Sequence, residues 1–411
     1  MKTLIKYEFL KILRKKSTII VLAVSLLLTA ILFGLPIMQY QTYNAYGVIK
    51  GLEGISYTKE QYSQISAPLT DEYIAGVVLE VQQLFEEPDN VGFDGTDKFL
   101  IGEAYWNNIA PREELLNMIA TNYVEPGLNA WYTSLPEVDM SESGDFYQMR
   151  EEKVAELLNS PSRDLTNEQK EYWQKMNRQV ETPFQYGYYE GWSTISSCFE
   201  LLMFAILAVC IVIAPVFSGE YQAGTDAVIL SGKYGKTKLT TAKIAASYLF
   251  GLLTFTIHVF VAFGLPLAAF GVDGWNLPMQ IANTTIPYPF TFLQGILVNL
   301  GVMYTVLIAM IGLTLVLSAK MRTPYLVLIV LVPILFIPMF LTANGTTGVY
   351  NLTLFLLPYY AIQPKFGSYI SYQFGTLVLD AFTTRAILYV FLTIIMLPFA
   401  KLAFKKHQVS A

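Results

Sequence analysis

Residues 17–38 read STIIVLAVSLLLTAILFGLPIM, 22 positions with no charge, and Lys11, Arg14, Lys15 and Lys16 stand directly before them. Coiled as an α-helix, such a run is about 33 Å long, enough to cross a hydrocarbon core of about 30 Å. The cationic flank also suits a secretory signal. The apolar run is too long for an h-region, however, and no small-x-small site follows, so it is expected to stay in place as a span. Comparable runs recur at 194–217, 243–270, 290–319, 323–342 and 384–404. Together they predict an all-α polytopic membrane protein with six transmembrane helices.

Of the 411 residues, 54% are apolar and only 14% charged, against about 25% charged in soluble domains. The net charge of −5 hides a division: residues 40–191 carry 26 acidic and 10 basic side chains, a net of −16, which leaves +11 for the rest. An acidic, water-soluble block joined to a basic, apolar remainder is the pattern of an integral membrane protein with one large hydrophilic domain. It argues against nucleic-acid binding, which gathers basic residues into a patch on a folded domain. Cys198 and Cys210 fall in one apolar run 12 positions apart, roughly 18 Å along a helix and too far for a disulfide. The two histidines, His258 and His407, leave no multi-histidine metal site, and no metal or cofactor is expected in this chain.

Lys and Arg in the short loops set the orientation. With the N-terminus in the cytoplasm, Lys2, Lys6, Lys11, Arg14, Lys15 and Lys16 fall inside, joined by Lys233, Lys236, Lys238 and Lys243, by Lys320 and Arg322, and by Lys401, Lys405 and Lys406. Opposite them fall residues 40–191, the loop 271–289 without a basic residue, and 345–383 with only Lys365. The expectation is a multi-pass cell-membrane protein with both termini cytoplasmic and residues 40–191 extracellular. Phe184, Tyr186, Tyr188, Tyr189 and Trp192 precede the second span, either as a headgroup belt or as part of the outer domain's core.

The outer block reads as helical. Ile74, Val77, Val78, Val81, Leu84 and Phe85 follow the 3.6-residue period and Pro88 ends that helix. Thr58 to Gln61 and Thr166 to Gln169 have capping-box spacing. Further helices are expected near 112–123 and 145–158, with turns at Pro126-Gly127 and Ser160-Pro161. Residues 1–16 form an amphipathic interfacial helix, with Ile5, Phe9, Ile12 and Leu13 on one face and Glu8, Lys11, Arg14 and Lys15 on the other, suited to anionic membrane lipids. Between 345 and 383, residues 352–357 are too short to span, and Pro358, Pro364 and Gly367 interrupt the chain beyond them, so a re-entrant or interfacial segment is expected.

The cytoplasmic loop 218–242 has Gly219 and Gly224 for tight reversal, then Thr225 or Asp226 to cap a short helix through Leu230, closed by Gly232 and Gly235 before a basic run. A short helix held along the membrane face suits force transmission, although an ordinary connecting loop would read the same. The stretch 217–243, with Glu220, Gly224-Thr225, Leu230-Ser231 and the later lysine, resembles the intracellular loop of permeases in the ABC type 2 exporter family. The architecture also resembles that family, in the form with an enlarged ectodomain between the first two spans that is common in Gram-positive bacteria. The resemblance implies a permease subunit that moves an amphiphilic peptide, lipid or drug outward, paired with a second permease copy or homologue. It implies a separate cytoplasmic ABC ATPase that holds ATP and Mg, with coupling through Glu220, Tyr221, Gly224, Thr225, Asp226 and Leu230. Gly235-Lys236-Thr237 ends like a phosphate-binding loop, but the first required glycine falls at Leu230, so no nucleotide motif is complete in this chain.

Strongly polar groups inside spans are costly and invite a functional reading. Glu200, His258 and Asn299 are candidates for a substrate path, or else hold helices together. Two other functions compete with export. A mechanotransmission permease would move its ectodomain against an extracellular partner without conducting anything. A membrane-embedded enzyme would need a constellation such as paired aspartates, and the six runs contain none. No catalytic residue is assigned.

Overall fold

The computed structural model describes residues 1–125, 128–139, 141, 144–232 and 234–406. The expected turn at Pro126-Gly127, Lys233 and His407 lie outside the described residues. The chain opens with α1 (Lys2–Leu13), breaks at Lys15, whose backbone is extended, and continues as α2 (Lys16–Gln39), the first apolar rod. Among the described residues five helical stretches are long and apolar enough to cross a membrane: Lys16–Gln39, Glu190–Gln222, Gly235–Phe270, Phe292–Lys320 and Ala381–Lys406.

The hydrophilic domain contains α3 (Gly51–Ile65), α4 (Asp71–Glu86), α5 (Gly102–Asn108), α6 (Glu113–Asn122), α7 (Phe146–Asn159) and α8 (Asn167–Asn177). The period read at 74–85 gives α4, which Thr70 caps by accepting from the Tyr73 amide. Thr166 and Gln169 form the expected reciprocal box at the start of α8. Thr58 does not cap a helix. It sits inside α3, which starts earlier at Gly51, and its hydroxyl accepts from Tyr40 at 2.9 Å.

The domain is also not purely helical. Gln41–Asn44 pairs with Gly47–Lys50, Val91–Asp94 with Asp97–Leu100, and Pro68–Leu69 with Phe184–Gln185, all antiparallel. The turn between the second pair is Gly95-Thr96, where Gly95 takes a φ of +62°. Glycine at the first position of a two-residue loop is a hairpin signal that outweighs the low apolarity of its flanks.

The second rod is longer than the expected 194–217. It runs as α9 (Glu190–Cys198), a tight turn at Phe199–Leu202, α10 (Met203–Ile213) and α11 (Pro215–Gln222), so Glu220 lies on a helix rather than in a loop, and Gly219 lies inside α11 rather than at a reversal. There follow α12 (Asp226–Ser231), α13 (Thr240–Phe270) and α14 (Phe292–Lys320), the last begun by a capping box of Thr291 and Gln294.

The run expected to span at 323–342 is shorter than the others. It forms α15 (Pro324–Phe336) and a tight turn at Ile337–Phe340. That makes 17 residues in all, about 26 Å if wholly α-helical. Pro338 lacks the amide that would continue the ladder. Five long apolar rods and one shorter apolar stretch stand where six transmembrane helices were expected.

Beyond it, α16 (Gly348–Leu354), α17 (Pro358–Ala361) and a hairpin of Ser371–Phe374 with Leu377–Asp380 form a compact segment, with its own small core of Leu354, Phe355, Tyr360 and Ile370. The chain ends in α18 (Ala381–Lys406), packed along α14. Outward faces carry bare apolar side chains, such as Ile20 at 62% and Ile394 at 62% exposed. Such surfaces belong against lipid or another apolar helix.

The hydrophilic domain is bonded to the loops at its end of the bundle. The buried Arg150 on α7 donates through Nε to the Thr284 carbonyl at 2.7 Å and through Nη2 to Asn177 Oδ1 at 2.8 Å. Gln169 and Trp173 of α8 both donate to Ser371 of the hairpin before α18. Phe184, Tyr186, Tyr188 and Trp192 are buried at the same junction, and the Trp192 ring nitrogen donates to the Val272 carbonyl, so these aromatics are core rather than an exposed belt.

Candidate functional site

At the basic end of the bundle, α1 lies against α13, with Phe9 and Phe250 ring centroids 6.1 Å apart. Its charged residues are not all on the outer face. Glu8, expected on the solvated side, is 6% exposed. It faces inward because Lys243, in the first turn of α13, is buried and needs an anion: Lys243 Nζ donates to Glu8 Oε2 at 3.0 Å and to Glu220 Oε1 at 2.8 Å. Lys11 Nζ donates to the same Glu220 oxygen at 2.6 Å, and the Thr225 hydroxyl donates to Glu220 Oε2 at 2.6 Å. One carboxylate thus joins α1, α11, α13 and the residue that begins α12.

Buried ions hold together only when each is paired and hydrogen-bonded, because the loss of water must be offset by close partners. Glu220 meets that condition with three donors. Burial pulls the Lys11 ammonium down, but the hydrogen bond to Glu220 and its charge outweigh burial and hold Lys11 above the ordinary lysine range. Its share of stability is therefore present at neutral pH and lost only as pH rises through the raised value. Neighbouring Lys15 is pulled down by burial and by the Lys11 charge.

Gly224, at φ +64°, turns the chain after α11, a conformation that an L side chain adopts with strain. Thr225 precedes α12 as expected, but its hydroxyl serves Glu220 instead of its own helix. Asp226 is buried at the start of α12, and Tyr221 donates to the Ala319 carbonyl and lies over the Phe404 ring, tying the turn to α14 and α18. Leu230 is half-buried. A Cβ at Gly235 would run into the Ile229 carbonyl, so the return path closes tightly over α12. What this corner presents outward is Val228, 75% exposed, with Ala223 and Ala227. No polar motif marks Val228, and only its position on the outer side of a six-residue helix sets it apart.

The three polar residues of the spans divide into two places. His258 is buried on α13. Its Nδ1 donates to the Thr254 carbonyl at 2.8 Å, which leaves Nε2 to accept from the Ser25 hydroxyl of α2 at 2.9 Å. Both ring nitrogens are thereby used to pack two rods. We expect His258→Leu to lower stability by about 1 kcal/mol and to leave transport and its pH profile unchanged, as thermal unfolding and vesicle uptake at two pH values would record. Glu200 and Asn299 converge on adjacent residues of the segment before α18: Asn299 Nδ2 donates to the Ile362 carbonyl and Gln363 Nε2 donates to Glu200 Oε2, each at 2.8 Å. The amide oxygens of the same two side chains, Asn299 Oδ1 and Gln363 Oε1, are buried without a partner among the described residues. Arg385, buried near the start of α18, donates to the Phe355 carbonyl. This seam joins α14 and the second rod to a segment with discrete short elements.

No curated protein and no solved structure matches the chain. A sequence profile of ABC-2 family transporter proteins matches residues 2–409. With long apolar helices, a buried ionic corner at their basic end and a family match over nearly its whole length, this chain belongs to the ABC-2 transporter family and is a multi-pass membrane permease of that family.

Proposed function

We propose that this chain is the permease subunit of an ATP-driven exporter of the ABC-2 type, working with a second permease copy or a homologue and with a separate cytoplasmic ATPase that binds ATP and Mg. Both termini and the ionic corner face the cytoplasm, the hydrophilic domain lies outside, and α15 crosses as a short sixth span. The observation that carries this reading is the shared carboxylate of Glu220. Because Lys11, Lys243 and Thr225 all donate to it, a push on α12 reaches α1, α11 and α13 together instead of being absorbed by a soft loop. Glu220 and Thr225 act as positioning residues, Tyr221 and Asp226 anchor the turn, Gly224 allows it, and Leu230 seats α12. Glu200 and Asn299 line a seam that opens when the segment 355–363 shifts, and an amphiphilic peptide, lipid or drug leaves along it.

The exposed Val228 is the natural point of contact with the ATPase. Val228→Glu is expected to leave folding unaltered, since the side chain faces water, and to remove most of the ATPase stimulation that the permease confers. Co-purification and ATPase assays of the reconstituted pair measure this. Stimulation equal to that of the unaltered pair would remove Val228 from the contact.

A second reading, mechanotransmission, is favoured by the bonds from Arg150, Gln169 and Trp173 to the loops before α14 and α18, because a domain held so firmly moves with those helices. Labelled amphiphile crossing a proteoliposome membrane on ATP addition supports export. ATP turnover that alters the domain's protease pattern while nothing crosses supports mechanotransmission.

A further inference from the structure

Where the hydrophilic domain meets the ends of the first two rods, α3, α6 and the turn after α2 line an open cavity of about 550 Å³, within the size range of small-molecule sites. Its walls mix polar side chains with the aromatic rings of Tyr40, Tyr43, Tyr57, Tyr62, Tyr186 and Trp131. Tyr62 and Tyr186 are stacked 5.7 Å apart, which fixes the inner wall. Glu114 of α6 and Glu190 at the start of α9 both line it. Both also line a second cavity of about 590 Å³ alongside.

The charges of this cavity do not balance internally. Glu114 accepts only from the Tyr62 hydroxyl, at 2.5 Å, and neither it nor Glu190 has an ion pair among the described residues. Among the described residues Arg112 is the one cation that lines this cavity, and it is already held by Glu80 at 2.6 Å; Lys153 and Arg163, which line the adjoining one, donate to the Thr121 and Ser368 carbonyls. Tyr186 is buried beside them, 1% exposed, and its hydroxyl has no hydrogen bond of good geometry among the described residues. Anionic side chains beside aromatic ring faces attract a cation of low hydration energy, because ring quadrupoles replace the weakly held water and the carboxylates supply the charge. A small, strongly hydrated metal ion would gain little from rings, and an anion would be repelled.

We infer that this cavity is a binding site for a hydrophobic organic cation, its charge against Glu190 and Glu114 and its apolar body against the tyrosine and Trp131 rings. The site goes beyond the exporter reading and needs neither ATP hydrolysis nor transport, so it is tested on the permease alone.

The test is equilibrium binding of tetraphenylphosphonium to the full chain in nanodiscs of zwitterionic lipid, with empty discs subtracted and tetraphenylborate as the anion of matching shape. The expected result is saturable binding of the cation at least about tenfold tighter than of the borate, the scale of one desolvated charge contact. Glu190→Gln, which removes a carboxylate without breaking any side-chain hydrogen bond among the described residues, should lose most of that preference. Equal affinity for the two ions overturns the inference, as does unchanged cation binding in a folded Glu190→Gln protein. If that variant does not fold, Tyr57→Ala on the half-buried wall takes its place with the same expectation, and unchanged binding there overturns the inference equally. A chain that binds the cation but fails to stimulate any ATPase would leave the site standing and remove the exporter reading alone.

Discussion

Glu220→Ala should lower the stability of the permease by about 3 kcal/mol and uncouple it from its ATPase. The cost arises less from the lost carboxylate than from what remains. Lys243 is 2% exposed, and without Glu220 it keeps one anion, Glu8, at 3.0 Å. Lys11, 43% exposed, can turn to water and contributes little to the loss. Lys243→Met takes away the buried cation itself, so combining the two substitutions should cost less than their sum by at least about 1 kcal/mol, the coupling expected of residues in direct contact. Thermal unfolding of the three purified variants gives the cycle. Strict additivity would mean that the cluster does not act as one unit. The functional half of the expectation is read from ATP turnover of the reconstituted pair: the Glu220→Ala chain should bind the ATPase yet fail to stimulate it, because α12 is still present while its link to α1 and α13 is gone.

The second large effect concerns the hydrophilic domain. Trp173 is fully buried on α8, donates its ring nitrogen to Ser371 at 3.2 Å, and meets the rings of Tyr288 and Tyr369 edge-on. Trp173→Ala removes a large buried surface and a shared hydrogen bond, with an expected cost of about 3–5 kcal/mol. Its position makes the damage specific. Tyr288 and Tyr369 belong to the loops before α14 and α18, so the cavity opens at the joint between domain and bundle rather than inside either. Limited proteolysis should then cut the domain free of the loops while the apolar helices stay protected. Cleavage spread evenly over the domain and the bundle would argue that the joint is not the weak element. Trp173→Phe, which keeps most of the ring contacts, should recover the greater part of the loss.

Hydropathy alone placed the apolar rods because the length of a charge-free run and the thickness of a bilayer are both one-dimensional quantities. It placed α2, α13, α14 and α18 within a few residues of their bounds. The run at 323–342 is also apolar and helical, over 324–340, but a scale that sums side-chain transfer energies does not register that Pro338 ends the hydrogen-bond ladder of α15. The hairpin turning at Gly95 went unread for a related reason. Its signal is a backbone conformation at one glycine, while the flanking residues 93–99 are mostly polar or exposed.

The stop of α4 before Pro88, the start of α8 at the Thr166 cap and the turn at Gly224 were written in local sequence, since capping and left-handed turns depend on a few neighbouring residues. Glu220 was singled out through resemblance, but its role in holding the corner together was decided only in three dimensions. Its partner Lys11 lies 209 positions away, Lys243 lies 23 away, and Glu8 joins through Lys243 across 235 positions. A carboxylate in a sequence is only a charge, and whether it is solvated or shared among buried cations depends on which helices pack against it. The same holds for His258, which sequence left open between a path and a packing contact until the Ser25 hydroxyl of α2 lay 2.9 Å from its ring. Composition and periodicity determined that this chain lives among lipids as helices; the pairing of charges that makes its basic end a single rigid corner came from tertiary contact, because Coulomb energy depends on distance in space and not along the chain.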